Sequence, residues 1–286
     1  MAAFKAALIQ MRSTVDIDRN VAAVTESVRE AACSGAQYVQ TPEMTNIVQL
    51  DPKALFGAIE PEQGNRALAA MTDLARDFGI WLHIGSFSIK LDSGRAANRA
   101  YVIAPTGSIV ARYDKIHMFD VDLDGGESYR ESKVYRPGDS AITVDLPWGQ
   151  LGLSICYDLR FPNLYRQMAE AGARFLAVPA AFTAQTGRAH WHVLQRARAV
   201  ETGCFVLAAA QGGKHEDGRS TFGHSLIVDP WGEVLAELPH DEPGVAIATI
   251  DPAAIDKARS RVPSLNNGRR FDLVKEGAER TLRAVS

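Results

Sequence analysis

Cys156 is the residue to begin with, because a thiol placed at the end of a buried strand can act as a nucleophile. The segment Gln150–Cys156 reads as such a strand, Tyr157–Phe161 follows, and Pro162 opens a helix. Open α/β sheets place their sites at the carboxyl ends of strands. A nearby helix N-terminus, with its free N–H groups, lowers a thiol pKa from about 8.5. A nucleophile also needs a base. The seven histidines (His83, His117, His190, His192, His215, His224 and His240) form no signature with Cys156. His190 and His192, two residues apart, would point to different faces of a helix, which disfavours a paired metal site, and no Cys/His/carboxylate cluster supports metal catalysis. Two charged residues do share the strand-end position. Glu43 directly follows the strand Tyr38–Thr41 and Pro42, and Lys115 follows the strand Ser108–Tyr113. The remaining thiols, Cys33 in a helix and Cys204 at the start of a buried strand, read as packing residues.

The elements that must position these groups are legible as alternation. Strand-length apolar runs also occur at Phe4–Met11, Ile80–Ser86, Ala100–Ala104, Phe175–Val178, Phe205–Ala210, Ser225–Val228 and Ala246–Ile250. Several are continuous, as expected of strands covered on both faces. Helical spacing marks Asp18–Cys33, Glu62–Phe78, Asn163–Ala171 and His190–Thr202, each followed by a glycine within two residues. A hairpin-like region is predicted between about 81 and 113. The reading is a mixed α/β protein in a single domain over residues 1–286, with no linker or repeat.

Bulk properties narrow the class. The 286 residues are 46% hydrophobic and 23% charged, with a formal net charge of -3. No basic block argues for nucleic acid, and no amphipathic anchor argues for a membrane. Three cysteines do not make a disulfide framework and fit a reducing compartment. The apolar stretch from Ala6 is too short to span a membrane and lacks a basic region with a cleavage site, which favours the cytoplasm.

Taken together, Pro42-Glu43-Met44, Asp114-Lys115-Ile116-His117 and Cys156-Tyr157-Asp158-Leu159-Arg160-Phe161-Pro162 resemble the nitrilase superfamily of carbon–nitrogen hydrolases, in the family's order. The resemblance runs from Ala7 to Pro263. It implies an α-β-β-α sandwich, a homodimer, no cofactor, and a Glu-Lys-Cys triad acting through a thioester with release of ammonia. Glu43 matches the general base, Lys115 the oxyanion-stabilising lysine, Cys156 the nucleophile, and Glu131 a second glutamate that positions substrate and lysine. The backbone N–H of Tyr157 is expected to be the further oxyanion donor.

Cys156-Tyr157-Asp158 differs from the Cys-Trp-Glu of true nitrilases. Thr186–Trp191, Leu194–Glu201 and Gly223–Gly232 resemble the Nit branch. Within it, Ala208-Ala209-Ala210-Gln211 and Cys204 look closer to deaminated-glutathione amidases than to ω-amidases. Arg188 stands where Nit proteins commonly have proline. Such substrates carry a carboxylate, which suits a guanidinium: Arg160 first, then Arg188. Phe182, Thr183 and Trp191 are expected to line the pocket. The alternatives are an ω-amidase acting on α-ketoglutaramate or succinamate, an N-carbamoyl hydrolase, and a non-catalytic scaffold of the same fold.

Overall fold

A computed structural model describes residues 2–275, so residues 1 and 276–286 of the expected single domain lie outside the described ones. Two six-stranded sheets carry the architecture, and they are built alike. The first contains β1 (Phe4–Gln10), β2 (Tyr38–Gln40), β3 (Trp81–Lys90), β4 (Ala96–Ile103) and β5 (Ile109–Asp114). After these come two short strands, β6 (Asp120–Asp122) and β7 (Ser128–Arg130), which pair as a hairpin outside the sheet. The second sheet contains β8 (Thr143–Leu146), β9 (Gly149–Leu153), β10 (Ala173–Ala177) and β11 (Phe205–Ala208). A second small hairpin joins β12 (Gly212–Lys214) to β13 (Ser220–Phe222). The second sheet is completed by β14 (Leu226–Val228) and β15 (Val234–Glu237), and the first by β16 (Gly244–Ile250).

In each sheet three strands run parallel at the centre, β1-β2-β3 in one and β9-β10-β11 in the other, with antiparallel strands outside them. β16 returns to pair antiparallel with β1 over seven positions, Phe4↔Ile250 to Gln10↔Gly244.

Strand periodicity explains the layering. Alternate residues of β1 point to opposite faces: Phe4, Ala6 and Leu8 join the core between the sheets, whereas Ala7 and Ile9 face the helices. β4 repeats this with Ala100 and Val102 inward, and Tyr101 and Ile103 outward. The helices α1 (Ile17–Cys33), α2 (Pro52–Ala58), α3 (Arg66–Phe78), α4 (Pro162–Glu170), α5 (Ala184–Thr202) and α6 (Ala253–Arg261) supply the outer layers. Val24 and Val28 of α1 and Leu68 and Met71 of α3 cover the first sheet. Leu164, Tyr165 and Met168 of α4 and Trp191 of α5 cover the second. The α-β-β-α sandwich is therefore the observed fold. Phe4 stacks on Trp148 at 4.0 Å and meets Phe175 edge-on at 5.6 Å, which ties the sheets together. No helix among the described residues is long and apolar enough to cross a membrane.

Local signals set the boundaries. Asn65 caps α3 by accepting from the Leu68 N–H, and Gly79 ends it in a left-handed conformation (φ 63°). Pro162 occupies the first turn of α4, where its missing N–H costs nothing.

Candidate active site

Four loops leave the carboxyl ends of strands and converge on one cavity of about 310 Å³. Glu43 follows β2, Lys115 follows β5, Cys156 follows β9 and Ala181 follows β10. Gly85 in β3 lets them approach. A Cβ there would lie 2.1 Å from the Thr41 carbonyl oxygen, 2.5 Å from that of Pro42 and 2.4 Å from Cβ of Pro179. Only a residue without a side chain lets the backbone before Glu43 sit against the second sheet.

β9 stops at Leu153, three residues earlier than the predicted strand, and Cys156 begins a 3-10 turn to Arg160. Its φ is 50°, an uncommon left-handed conformation for a residue with a side chain. Two anchors hold it there. The Cys156 N–H donates to the Pro179 carbonyl at 2.9 Å. Behind the turn, fully buried Asp158 accepts from the Ile155 N–H (2.9 Å), the Tyr113 hydroxyl (2.6 Å) and the His117 N–H (3.0 Å), and lies 2.7 Å from His117 Nδ1.

Lys115 is the hub. Its Nζ donates to Glu43 Oε1 at 2.9 Å and to both oxygens of Glu131 at 3.1 and 2.9 Å. Asn98 Nδ2 bridges the same two carboxylates at 2.8 and 3.1 Å. The Ala181 N–H donates to Glu43 Oε2 at 2.7 Å, and the Phe119 N–H to Glu131 Oε2 at 2.7 Å. Glu43 and Lys115 are each 2% exposed and Cys156 7%, so these charges meet in a medium that screens little.

That environment sets the protonation. Burial alone would raise the Glu43 carboxyl, but the Lys115 ammonium and hydrogen bonds from Lys115, Cys156 and Asn98 hold it below the usual carboxylate range. Burial would likewise lower Lys115, yet the carboxylates of Glu131 and Glu43 keep it well above the ordinary amine range. Burial pushes the Cys156 thiol well up, the Glu43 charge pushes the same way, and Lys115 does not reverse it. The expectation of a thiol with a lowered pKa is therefore corrected, because a neighbouring carboxylate and a dry site outweigh the effect of a turn N-terminus. Together these shifts favour a carboxylate, an ammonium and a neutral thiol side by side in the resting site.

Tyr157, Phe182 and Thr183 also line the cavity, and Thr183 caps α5 as well. Three expected residues are not among its lining. Arg160 lies over the Phe182 ring at 5.2 Å and the Tyr157 ring at 5.9 Å, beside His190, so it packs behind the wall. Arg188 is exposed on the outer side of α5. Trp191 is fully buried, donates to the His224 carbonyl at 2.8 Å and belongs to the core between the second sheet and α5. In their place Arg130 and Arg219 reach the cavity. Sequence reasoning missed Asn98, Asp158 and Arg219. Asn98 had one signal, a lone uncharged polar residue in the run from Ala96 to Ala100.

The carbon–nitrogen hydrolase family model matches residues 5–260, which take in both sheets and every residue of this cluster. The chain belongs to the carbon–nitrogen hydrolase family. Among its relatives, the deaminated glutathione amidase of Bos taurus is 40% identical over 272 residues, covering 93% of this chain and 82% of that protein. The crystal structure of the C. elegans NitFhit protein superposes with a TM-score of 0.86 at 34% identity, over 94% of this chain and 66% of that one. A Glu-to-Gln mutant of the amidase from Nesterenkonia sp. AN1 matches with a TM-score of 0.79 at 26% identity, over 93% and 94% of the two chains. That structure shows covalent addition of the acetamide moiety of fluoroacetamide at its active-site cysteine. Membership of this hydrolase family makes the protein an amidohydrolase acting on carbon–nitrogen bonds.

Proposed function

We propose that the protein hydrolyses an amide through a thioester on Cys156, with Glu43 carrying the proton. The reading is carried by one observation: Lys115 is clamped between Glu43 and Glu131 at 2.9 Å from each, in the cavity that Cys156 lines. Glu43 takes the thiol proton as sulfur attacks the carbonyl carbon. Lys115 and the Tyr157 N–H stabilise the oxyanion, a contribution worth about 3–4 kcal/mol per donor. Glu43 then passes its proton to the leaving nitrogen, the C–N bond breaks, and the acyl group stays on sulfur. Water, deprotonated by the same carboxylate, hydrolyses the thioester and restores the thiol. Glu131 and Asn98 act on Lys115 and Glu43, holding both in place.

For the substrate we favour an amide of the deaminated-glutathione type, supported by relatives of that name at 40% identity over most of the chain. A primary amide such as succinamate would release ammonia. Glutathione contains no primary amide, so its deaminated form would release an amine instead. We also place the enzyme in a reducing cytoplasm, which suits its three free thiols. A homodimer would cover the exposed apolar side chains Val193 and Val200 of α5 and nearby Trp231. The test is intact-mass analysis during turnover of an amide panel, with ammonia and amine release measured in parallel. An acyl adduct on Cys156, absent from Cys156→Ala along with turnover, is expected; hydrolysis by Cys156→Ala would sink the mechanism.

A further inference from the structure

Besides the clamped Lys115, the cavity wall presents two arginines and Lys133, and the arginines are not equivalent. Arg130 is satisfied where it stands. Its guanidinium makes a two-pronged pair with Asp122 at 2.7 and 2.9 Å and donates to the carbonyls of Val121 and Tyr129 at 2.9 and 2.7 Å. Arg219, in the turn between β12 and β13, is nine-tenths buried, with a side-chain exposure of 10%. Among the described residues its guanidinium has one carboxylate contact, a long one from Nη2 to Asp217 Oδ2 at 3.4 Å, while its backbone N–H donates to Asp217 Oδ1 at 3.0 Å. Nη1 lies 3.5 Å from the Met44 sulfur, and Nε is buried with no hydrogen-bond partner among the described residues. A buried guanidinium whose donors meet a thioether, one long carboxylate contact and, at Nε, no partner among the described residues is costly to keep, because its lost hydration is only partly replaced. It gains its partners when a planar anion enters.

Charge on the cavity floor points the same way. Glu43, Glu131 and Lys115 together carry one net negative charge, and Lys115 has both carboxylates against it. A carboxylate-bearing substrate needs a cation away from that floor. Arg160, the expected candidate, is stacked behind the wall. Arg219 meets Met44, the residue after Glu43, and lines the same cavity as Tyr129 and Tyr135.

We propose that Arg219 is the residue that recognises a carboxylate of the substrate, accepting it in the cavity it shares with the Glu43–Lys115–Glu131 cluster. This rests on the amidase reading only for its consequence in turnover; the recognition itself can be read without hydrolysis.

The experiment compares wild type, Arg219→Gln and Asp217→Asn in two assays. The first measures protection of Cys156 from iodoacetamide by glutarate, used as a carboxylate probe. Arg219→Gln is expected to weaken protection about 10- to 100-fold, the scale of a lost hydrogen bond to a charged group. Asp217→Asn keeps an acceptor for the Arg219 N–H but removes the competing charge, so it should tighten protection. A merely structural arginine would not give opposite shifts in the two variants. The second assay compares kcat/KM on butanamide, succinamate and N-butanoylglycine. Arg219→Gln should lose at least about tenfold more on an amide bearing a carboxylate than on butanamide. Loss confined to succinamate places the recognised group on the acyl part, and loss confined to N-butanoylglycine places it on the leaving amine. Unchanged glutarate protection in Arg219→Gln, or equal losses on all three amides, overturns the proposal. If Arg219→Gln does not fold, protection that fails to tighten in Asp217→Asn overturns it. Should wild type hydrolyse no amide while Arg219-dependent protection persists, the carboxylate site stands and the amidase mechanism falls.

Discussion

At the scale of the residue, the proposed mechanism sets a neutral thiol beside a carboxylate, where a cysteine–histidine hydrolase sets a thiolate beside an imidazolium. The sign of the pH dependence follows. In the proposed mechanism Glu43 must be unprotonated to accept the thiol proton, and its pKa is held below the usual carboxylate range, so activity should fall only on the acid side of that range. Lys115 must stay charged, and its pKa lies well above the ordinary amine range. The kcat/KM profile should therefore be flat across neutral pH, without the limb near about 6.5 that a histidine base imposes. A pH–rate series checks this, and a limb at 6–7 would remove Glu43 from the role. Glu43, Lys115 and Cys156 are legible in the sequence because each follows a strand inside a recognisable motif, and Glu131 only through the family resemblance. Arg219 is not legible there. It sits in a polar turn where arginine is unremarkable, and only folding brings it to a wall formed by residues 44–186. Arg160 and Trp191 went the other way, since adjacency along the chain to Cys156 or to the substrate loop does not decide which side of the wall a long side chain takes.

At the scale of the element, the predicted strands and helices mostly formed within a few residues of their expected ends, because apolar runs bounded by glycine and proline are strong signals. The misses share a cause. β8, β15 and the two small hairpins are strands of three or four residues, and α2 and α6 have only seven and nine residues. What periodicity could not show is close approach. Gly85 reads as an ordinary strand residue, yet it marks the contact between the segment before Glu43 and Pro179. Gly85→Ala should destabilise the fold by at least about 1–3 kcal/mol, the range for forced overpacking, and lower kcat as Glu43 is displaced. Thermal melts with kinetics decide this; an alanine variant matching wild type in both would show that the strands can part without cost.

At the scale of the whole molecule, stability resides between the sheets and chemistry at their edge. Phe175 packs edge-on against Phe4 and 5.9 Å from Phe205, deep in the shared core. Phe175→Ala should cost about 3–5 kcal/mol, a fall in Tm of roughly 5–10 °C. Below that lowered melting point the iodoacetamide reactivity of Cys156 should hold, because no group touching the thiol has moved. A Tm within a degree of wild type would mean that the sandwich is not held by this cluster. The periodicity that sorts β1 and β4 onto two faces is visible in the residues themselves. Which sheet meets which is not, because it depends on pairings such as Phe4 with Trp148 that no local pattern encodes.

The pairing of β1 with β16 has a consequence for synthesis. Residues 4–10 leave the ribosome first among the strands, but the partner on one of their sides arrives some 240 residues later. Until then β1 exposes an unpaired, strongly apolar edge, a template for intermolecular pairing. A polypeptide released before residue 244 keeps that edge open for good. C-terminal truncation upstream of β16 thus yields aggregation rather than a smaller working enzyme, however complete the loops around Cys156.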